Sequence, residues 1–254
     1  MLNGFIIAFS MYSKIPMPHR QWKDEDMKYS MSFFPFVGAV IGAVAWLWLW
    51  LCKQVDIPEV ACAGVGLAIP LLITGGFHID GYMDTMDAIH SYGSKERKLE
   101  ILKDSHIGAF AVIMLVLYVL LYVSGYSMIS HTDTIRVYSL SFMLSRILSA
   151  LSLLSFTKAK DTGSLAQFAK TAGKGVRSVV ITELIAVVAL MLVCDWLAGL
   201  TAILLAAFAF LYYAIFSRKN FGGITGDIAG YFLCVCELVM AMGLGILAVV
   251  RLYM

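Results

Sequence analysis

Residues 32–52 read SFFPFVGAVIGAVAWLWLWLC, 21 positions without one charged side chain. At about 1.5 Å of rise per residue a helix of this length crosses a hydrocarbon core of about 30 Å. Lipid offers the backbone no hydrogen-bond partner, so a single crossing segment must be helical. Runs of the same kind recur at roughly 57–76, 108–130, 136–156, 178–195, 197–216 and 228–250. The 254-residue chain is 60% hydrophobic and 14% charged, with a mean hydropathy of +0.83. Soluble domains carry about a quarter charged residues, so a soluble fold is excluded. The expected architecture is an all-α polytopic membrane helical bundle of about seven transmembrane helices. No repeat, low-complexity tract or linker divides it, which predicts a single integral membrane domain over 1–254.

The opening segment, MLNGFIIAFSMYSKIPMP, has neither a basic leader before its apolar run nor a small-residue cleavage site after it. It predicts an N-terminal interfacial or re-entrant helix ended by Pro16 and Pro18. The cysteines (Cys52, Cys62, Cys194, Cys234 and Cys236) are odd in number and lack C-x-x-C spacing, which argues against a disulfide frame or a zinc site.

A net charge of +2 says little, whereas its distribution fixes an expected topology. With the N-terminus cytoplasmic and seven spans following, 15 of the 19 Lys and Arg fall on the cytoplasmic side. They are Lys14, Arg20, Lys23 and Lys28; Lys95, Arg97, Lys98 and Lys103; Lys158, Lys160, Lys170, Lys174 and Arg177; and Arg218 and Lys219. The other face keeps Lys53, Arg136 and Arg251, and Arg146 lies within a span. By the positive-inside rule the N-terminus is cytoplasmic and the C-terminus outside.

That topology brings four distant polar stretches to one face: SKIPMPHR (13–20), GGFHIDGYMDTMDAIH (75–90), KDSHIGAF (103–110) and GGITGDIAG (222–230). At 100° per residue Asp84 sits about 40° from Asp80 around a helix, and Asp87 about 20° away on the other side. Three carboxylates on one narrow face repel one another, and a divalent cation removes that penalty. Oxygen ligands of this kind suit Mg²⁺ or Mn²⁺ bridging to substrate phosphates. Asp80, Asp84, Asp87 and Asp227 are therefore the expected metal ligands, and one carboxylate of the set is expected to orient or deprotonate an attacking hydroxyl. Gly75 and Gly76 allow close approach of substrate. Lys103 offers a cation to phosphate, with Asp104 and Ser105 beside it at a helix start where either is also a good cap. Gly222, Gly223, Thr225 and Gly226 open the last helix, where free amides favour an anion. His78 lies off the acidic face and reads as a packed or capping residue; His90 lies near the edge of that face. Arg146 and Glu237, costly in lipid, are expected to face the bundle interior. Acids, cations and Gly-rich helix starts at a membrane face are parts for phosphoryl transfer from a diphosphate. From the residues alone the activity is a transferase or hydrolase acting on a membrane-associated diphosphate.

At these residues the chain resembles the cobalamin synthase (adenosylcobinamide-GDP ribazoletransferase) family. The resemblance rests on SKIPMP, FFPFVGAVIG (33–42), GGFHIDGYMDTMDAI (75–89), KDSHIGAF, Ser145-Arg146, and GGITGDIAG with Glu237. It implies Mg²⁺-dependent transfer of cobinamide phosphate from adenosylcobinamide-GDP to the 3′-hydroxyl of α-ribazole or its 5′-phosphate, releasing GMP. Asp80, Asp84 and Asp87 match the family's acidic motif, and Asp87, Lys103, Asp104 and Arg146 are the expected catalytic set. The chain departs from many members at His106 (often Arg), Ile89 (often Gly) and Cys234 (often Glu). The implied partners are these two small molecules and the lipid bilayer, without nucleic acid, and a homo-oligomer is compatible with the sequence. The implied location is the cytoplasmic (inner) membrane, with the site facing the cytoplasm. A CDP-alcohol phosphotransferase shares spaced aspartates, but its motif places an Asp before the Asp-Gly pair and an Ala-Arg after it, whereas here Phe77 precedes His78 and Met83-Asp84 follows Tyr82. A cation-coupled transporter would set its acids near mid-membrane on broken helices.

Overall fold

The computed structural model describes residues 2–18, 24–129, 134–159, 168, 171–173 and 175–253. His19, Arg20, Lys23, Lys160, Lys170 and Lys174 of the stretches above lie outside the described residues. Among the described residues eleven α-helices follow in order: α1 (Leu2–Tyr12), α2 (Asp24–Met27), α3 (Phe34–Gln54), α4 (Glu59–Thr74), α5 (Phe77–His90), α6 (Lys95–Ile101), α7 (Ala109–Ile129), α8 (Ile135–Ser155), α9 (Val176–Cys194), α10 (Trp196–Phe221) and α11 (Gly226–Arg251). Among the described residues the only β pairing is one parallel bridge, Lys158 with Ile224.

Helices α3, α7, α8, α9, α10 and α11 are each long and apolar enough to cross a membrane. The second expected span is different. Gly75 and Gly76 both adopt positive φ, 67° and 79°, and α4 and α5 are bent by 97° across them. Two successive left-handed residues cannot continue a helix, and only glycine takes that conformation without a steric cost. The run at 57–76 is thus one arm of a broken pair, giving six spans among the described residues, or seven with the pair counted as one. The N-terminal helix α1 is short, ends before Pro16, and buries Ile6, Ile7, Ala8 and Phe9.

Helix α8 is the axis of the bundle. Its apolar window is 78% buried, against 22% for α9, which turns most of its surface to lipid. Lipid tails supply no hydrophobic drive between helices, so close packing must supply the attraction. Helix α3 achieves it with Gly38 and Gly42, one turn apart. A Cβ at either would stand about 2 Å from a carbonyl of α8, of Phe142 or Ser139 respectively. Both expected interior charges lie in this core, Arg146 being 1% and Glu237 5% exposed. The Arg146 guanidinium donates to the Glu237 carboxylate, the Phe142 carbonyl (3.1 Å) and the Ser145 hydroxyl (3.0 Å), and Ser145 donates to Glu237 (3.1 Å). All five cysteines are free thiols, none of them fully exposed.

Candidate active site

The Gly75–Gly76 corner does more than break a span. Lys14 donates its backbone N–H to Ile73 O (2.7 Å), and the Lys14 side chain lies where a Cβ on Gly75 would be, within 2.3–2.9 Å. The corner therefore seats a cation beside the start of α5. An open groove of about 570 Å³ runs here, lined by Lys14, Gly75, Gly76, Phe77, Asp80 and Met83 among others. The sequence had placed the Lys14 stretch on this face without assigning that side chain to the site.

Beyond the corner, α5 runs antiparallel to the start of α11. A Cβ on Gly81 would stand 2.6 Å from the Asp227 carbonyl and 2.8 Å from its Cα; one on Gly230 would stand 2.9 Å from the His78 carbonyl. This crossing sets Asp227 against the acidic face of α5, and Asp84 feels the negative charge of Asp80, then Asp227, then Asp87. Thr225 caps α11 by accepting the Ile228 N–H (3.3 Å) and donates to the Asp227 carboxylate (3.4 Å), which holds that acid near the helix start. Gly222, with φ 78°, ends α10. Gly223 packs on the Thr157–Ala159 backbone, where Ile224 N–H reaches Thr157 O (2.9 Å) and Ala159 N–H reaches Ile224 O (3.0 Å). The glycine-rich turn is thereby sewn to the end of α8.

Asp87 holds a different kind of partner. Its carboxylate accepts the backbone N–H groups of Gly108 (2.6 Å) and Ala111 (3.2 Å), capping α7 from another helix. The cap that Asp104 or Ser105 could have supplied comes from Asp87 instead. Lys103, Asp104 and Ser105 lie exposed on the loop between α6 and α7. Asp104 turns back on this loop, accepting from His106 N–H (3.0 Å) and Nδ1 (2.6 Å), and those bonds hold its carboxyl below the usual range. Arg146 stays in the bundle interior with Glu237. His90 bonds the Met86 carbonyl (2.7 Å) and stacks on Phe110 at 4.8 Å. His78 is buried and packed as expected, and its Nε2 has no hydrogen-bond partner.

Among the described residues no three His, Cys, Asp or Glu side chains draw together tightly enough to enclose a metal. The donor set nonetheless fits Mg²⁺. This ion keeps several waters and is usually bound through one or two carboxylates plus substrate phosphates, not by an all-protein cage. Asp80, Asp84 and Asp227 supply hard oxygens, and the charge of the other acids on Asp84 is what a divalent ion offsets.

The family model for cobalamin-5-phosphate synthase matches residues 4–245. A protein of Lachnoclostridium phytofermentans described as adenosylcobinamide-GDP ribazoletransferase is 43% identical, covering 99% of this chain and 97% of its own. Relatives of the same description from Clostridium perfringens and Listeria monocytogenes are 33% and 34% identical. They cover 95% and 96% of this chain, and 96% and 100% of their own length. No solved structure matches the chain.

Proposed function

The chain belongs to the cobalamin-5-phosphate synthase family, and from that premise we propose that it is an adenosylcobinamide-GDP ribazoletransferase dependent on Mg²⁺. The acceptor is α-ribazole or its 5′-phosphate. Its 3′-hydroxyl oxygen bonds to the cobinamide-side phosphorus, the bond from that phosphorus to the bridging oxygen breaks, and GMP leaves. The observation that carries the reading is the crossing of α5 and α11 at Gly81, which brings acids of two helices beside a groove lined by Lys14 and Asp80.

Asp80, Asp84 and Asp227 would hold the ion, which when bound offsets charge on the diphosphate and on departing GMP. Lys14 meets diphosphate oxygens from the groove, and Lys103 approaches from the loop before α7. The first-turn amides of α11 favour the same negative charge. Asp87, committed to the amides of Gly108 and Ala111, keeps α7 and its loop in register with the acids. The hydroxyl proton passes to a carboxylate of the cluster. The bias of Lys and Arg toward this end supports a cytoplasmic site and N-terminus in the inner membrane.

The test is purified protein in detergent given adenosylcobinamide-GDP, α-ribazole and Mg²⁺, with GMP followed by chromatography. GMP release that requires both substrates, stops with EDTA and returns with Mg²⁺ is expected. Asp84→Asn should insert normally yet lose turnover, since a neutral amide is a poor ligand for this ion. No GMP from the unmodified protein, or undiminished turnover by the variant, overturns the respective assignment.

A further inference from the structure

At the far end of the Gly222–Gly226 turn from Asp227, α8 and α10 finish side by side around a pocket of about 230 Å³. Ser155, Thr157, Ser217, Arg218 and Gly223 line it among others, and no Asp or Glu does. Arg218, exposed in the last turn of α10, makes no ion pair among the described residues. Ser217 is 2% exposed and makes only a 3.3 Å bond to the Ala214 carbonyl. The backbone adds two more donors. Helical bonding ends with Phe156 N–H on Ser152 O (2.7 Å) and with Gly222 N–H on Arg218 O (3.2 Å). The next amide of each segment, Thr157 N–H and Gly223 N–H, has no acceptor among the described residues.

Backbone amides at buried positions such as Gly223 are paired with few exceptions, and these two belong to residues that line an open pocket. A cation in the last turn of α10 suits the helix dipole and the cytoplasmic side. That accounts for the charge of Arg218, but not for the hydroxyls and free amides grouped with it. A guanidinium, hydroxyls and amides with no carboxylate among them form a donor set for phosphate oxygens. At about 230 Å³ the pocket holds a phosphate group as it stands, without any side chain moving.

We infer that this pocket binds a phosphate monoester, the 5′-phosphate of the acceptor nucleotide, through Arg218, the Ser155 and Thr157 hydroxyls and the Gly223 amide. The inference rests on the proposed transferase reading and adds to it the residue that selects the acceptor. The phosphorus that reacts needs a metal and the carboxylates at the crossing of α5 and α11. A phosphate held only for recognition needs the opposite, a cation and donors with no acid to repel it. A phospholipid headgroup offers phosphate at the same membrane face, but as a diester of single charge. A monoester carries about −1.5 to −2 at pH 7 and gains more from the guanidinium. Gly223 and Asp227 are four residues apart, no more than about 14 Å even with the chain fully extended. An acceptor anchored at Arg218 therefore turns its ribose toward the acids, where the 3′-hydroxyl reacts.

The experiment follows GMP release at saturating adenosylcobinamide-GDP and Mg²⁺ with α-ribazole or α-ribazole 5′-phosphate as acceptor. It is run in phosphatidylcholine vesicles with and without phosphatidylglycerol. For the unmodified protein the phosphorylated acceptor should have a KM at least about tenfold lower, the worth of one hydrogen bond to a charged group. Arg218→Gln should raise that KM about tenfold in both kinds of vesicle, move the α-ribazole KM less than about twofold, and so erase the discrimination. Arg218→Lys, which keeps the charge without the fork, should retain part of it. Equal KM values for the two acceptors with the unmodified protein overturn the assignment, and that measurement needs no variant to fold. Discrimination that survives Arg218→Gln overturns it as well. A loss that falls on both acceptors alike, or only where phosphatidylglycerol is present, gives the pocket to a lipid headgroup and overturns it too. Absence of GMP release with either acceptor by the unmodified protein removes the transferase reading itself; release without discrimination removes the phosphate subsite alone.

Discussion

Replacing Gly81 with alanine probes the junction on which the site depends. A Cβ there would stand 2.6 Å from the Asp227 carbonyl oxygen and 2.8 Å from its Cα, whereas ordinary contact begins at 3.4 Å. The obstacles are backbone atoms, so no side-chain rotation relieves them, and α5 and α11 must part by about 0.8 Å. That shift widens the gap between Asp227 and the acids of α5 in the pocket that must align a hydroxyl with a phosphorus. Misplacement of about 1 Å costs on the order of 10²-fold in rate, and overpacking costs about 1–3 kcal/mol of stability. Gly81→Ala should therefore insert, unfold at a somewhat lower temperature, and release GMP about 100-fold more slowly. Gly64→Ala is the internal control: a Cβ at Gly64 meets nothing within 4 Å, so rate and stability should match or slightly exceed the parent. GMP release by Gly81→Ala within threefold of the parent would show that the α5–α11 crossing does not set the catalytic geometry.

Three other perturbations test separate parts of the structure. Asp87→Ala removes the acceptor for two amides at the start of α7 and should cost about 1–2 kcal/mol, read as a lowered unfolding midpoint. Arg146→Met leaves Glu237 charged and buried, so it should destabilise the bundle by about 3–5 kcal/mol, while Arg146→Met with Glu237→Leu should recover most of that loss. A double variant no more stable than the single one would refute the pairing argument. On the opposite face, Asp195 caps α10 through Ala198 N–H (3.0 Å) and accepts two bonds from Arg251, which clasp the end of α11. The Arg251 guanidinium holds the Asp195 carboxyl below the ordinary range. A depressed folded-state value means that the stabilisation is present above the unfolded carboxyl's pKa of about 3.9 and fades as acid protonates the folded carboxylate. Arg251→Ala should thus lower the unfolding midpoint at pH 7, leave GMP release nearly intact, and differ less from the parent below about pH 4.

What the sequence disclosed and what it hid follow from the range of the interactions involved. The arithmetic of 100° per residue placed Asp80, Asp84 and Asp87 on one face because it needs only a local helix, and α5 is one. Hydropathy located six spans within a few residues of α3 and α7–α11 because lipid imposes that length on each segment independently. It failed at 57–76, where composition continues smoothly while the backbone turns 97°; the turn is written in two adjacent glycines and in the Lys14 backbone that fastens to Ile73. The role of Asp87 was out of reach for a similar reason. Its partners lie 21 and 24 residues away, beyond a helix and a loop, so no periodicity links them. His78 carries the point furthest. Its position off the acidic face is a local fact and was correctly read as packing, but the aromatic box that leaves its Nε2 unpaired is assembled from α1, α3 and α5. A charged cluster announces itself in a greasy sequence because each member is improbable there. A lone polar atom among aromatics becomes visible only when the elements that surround it have met.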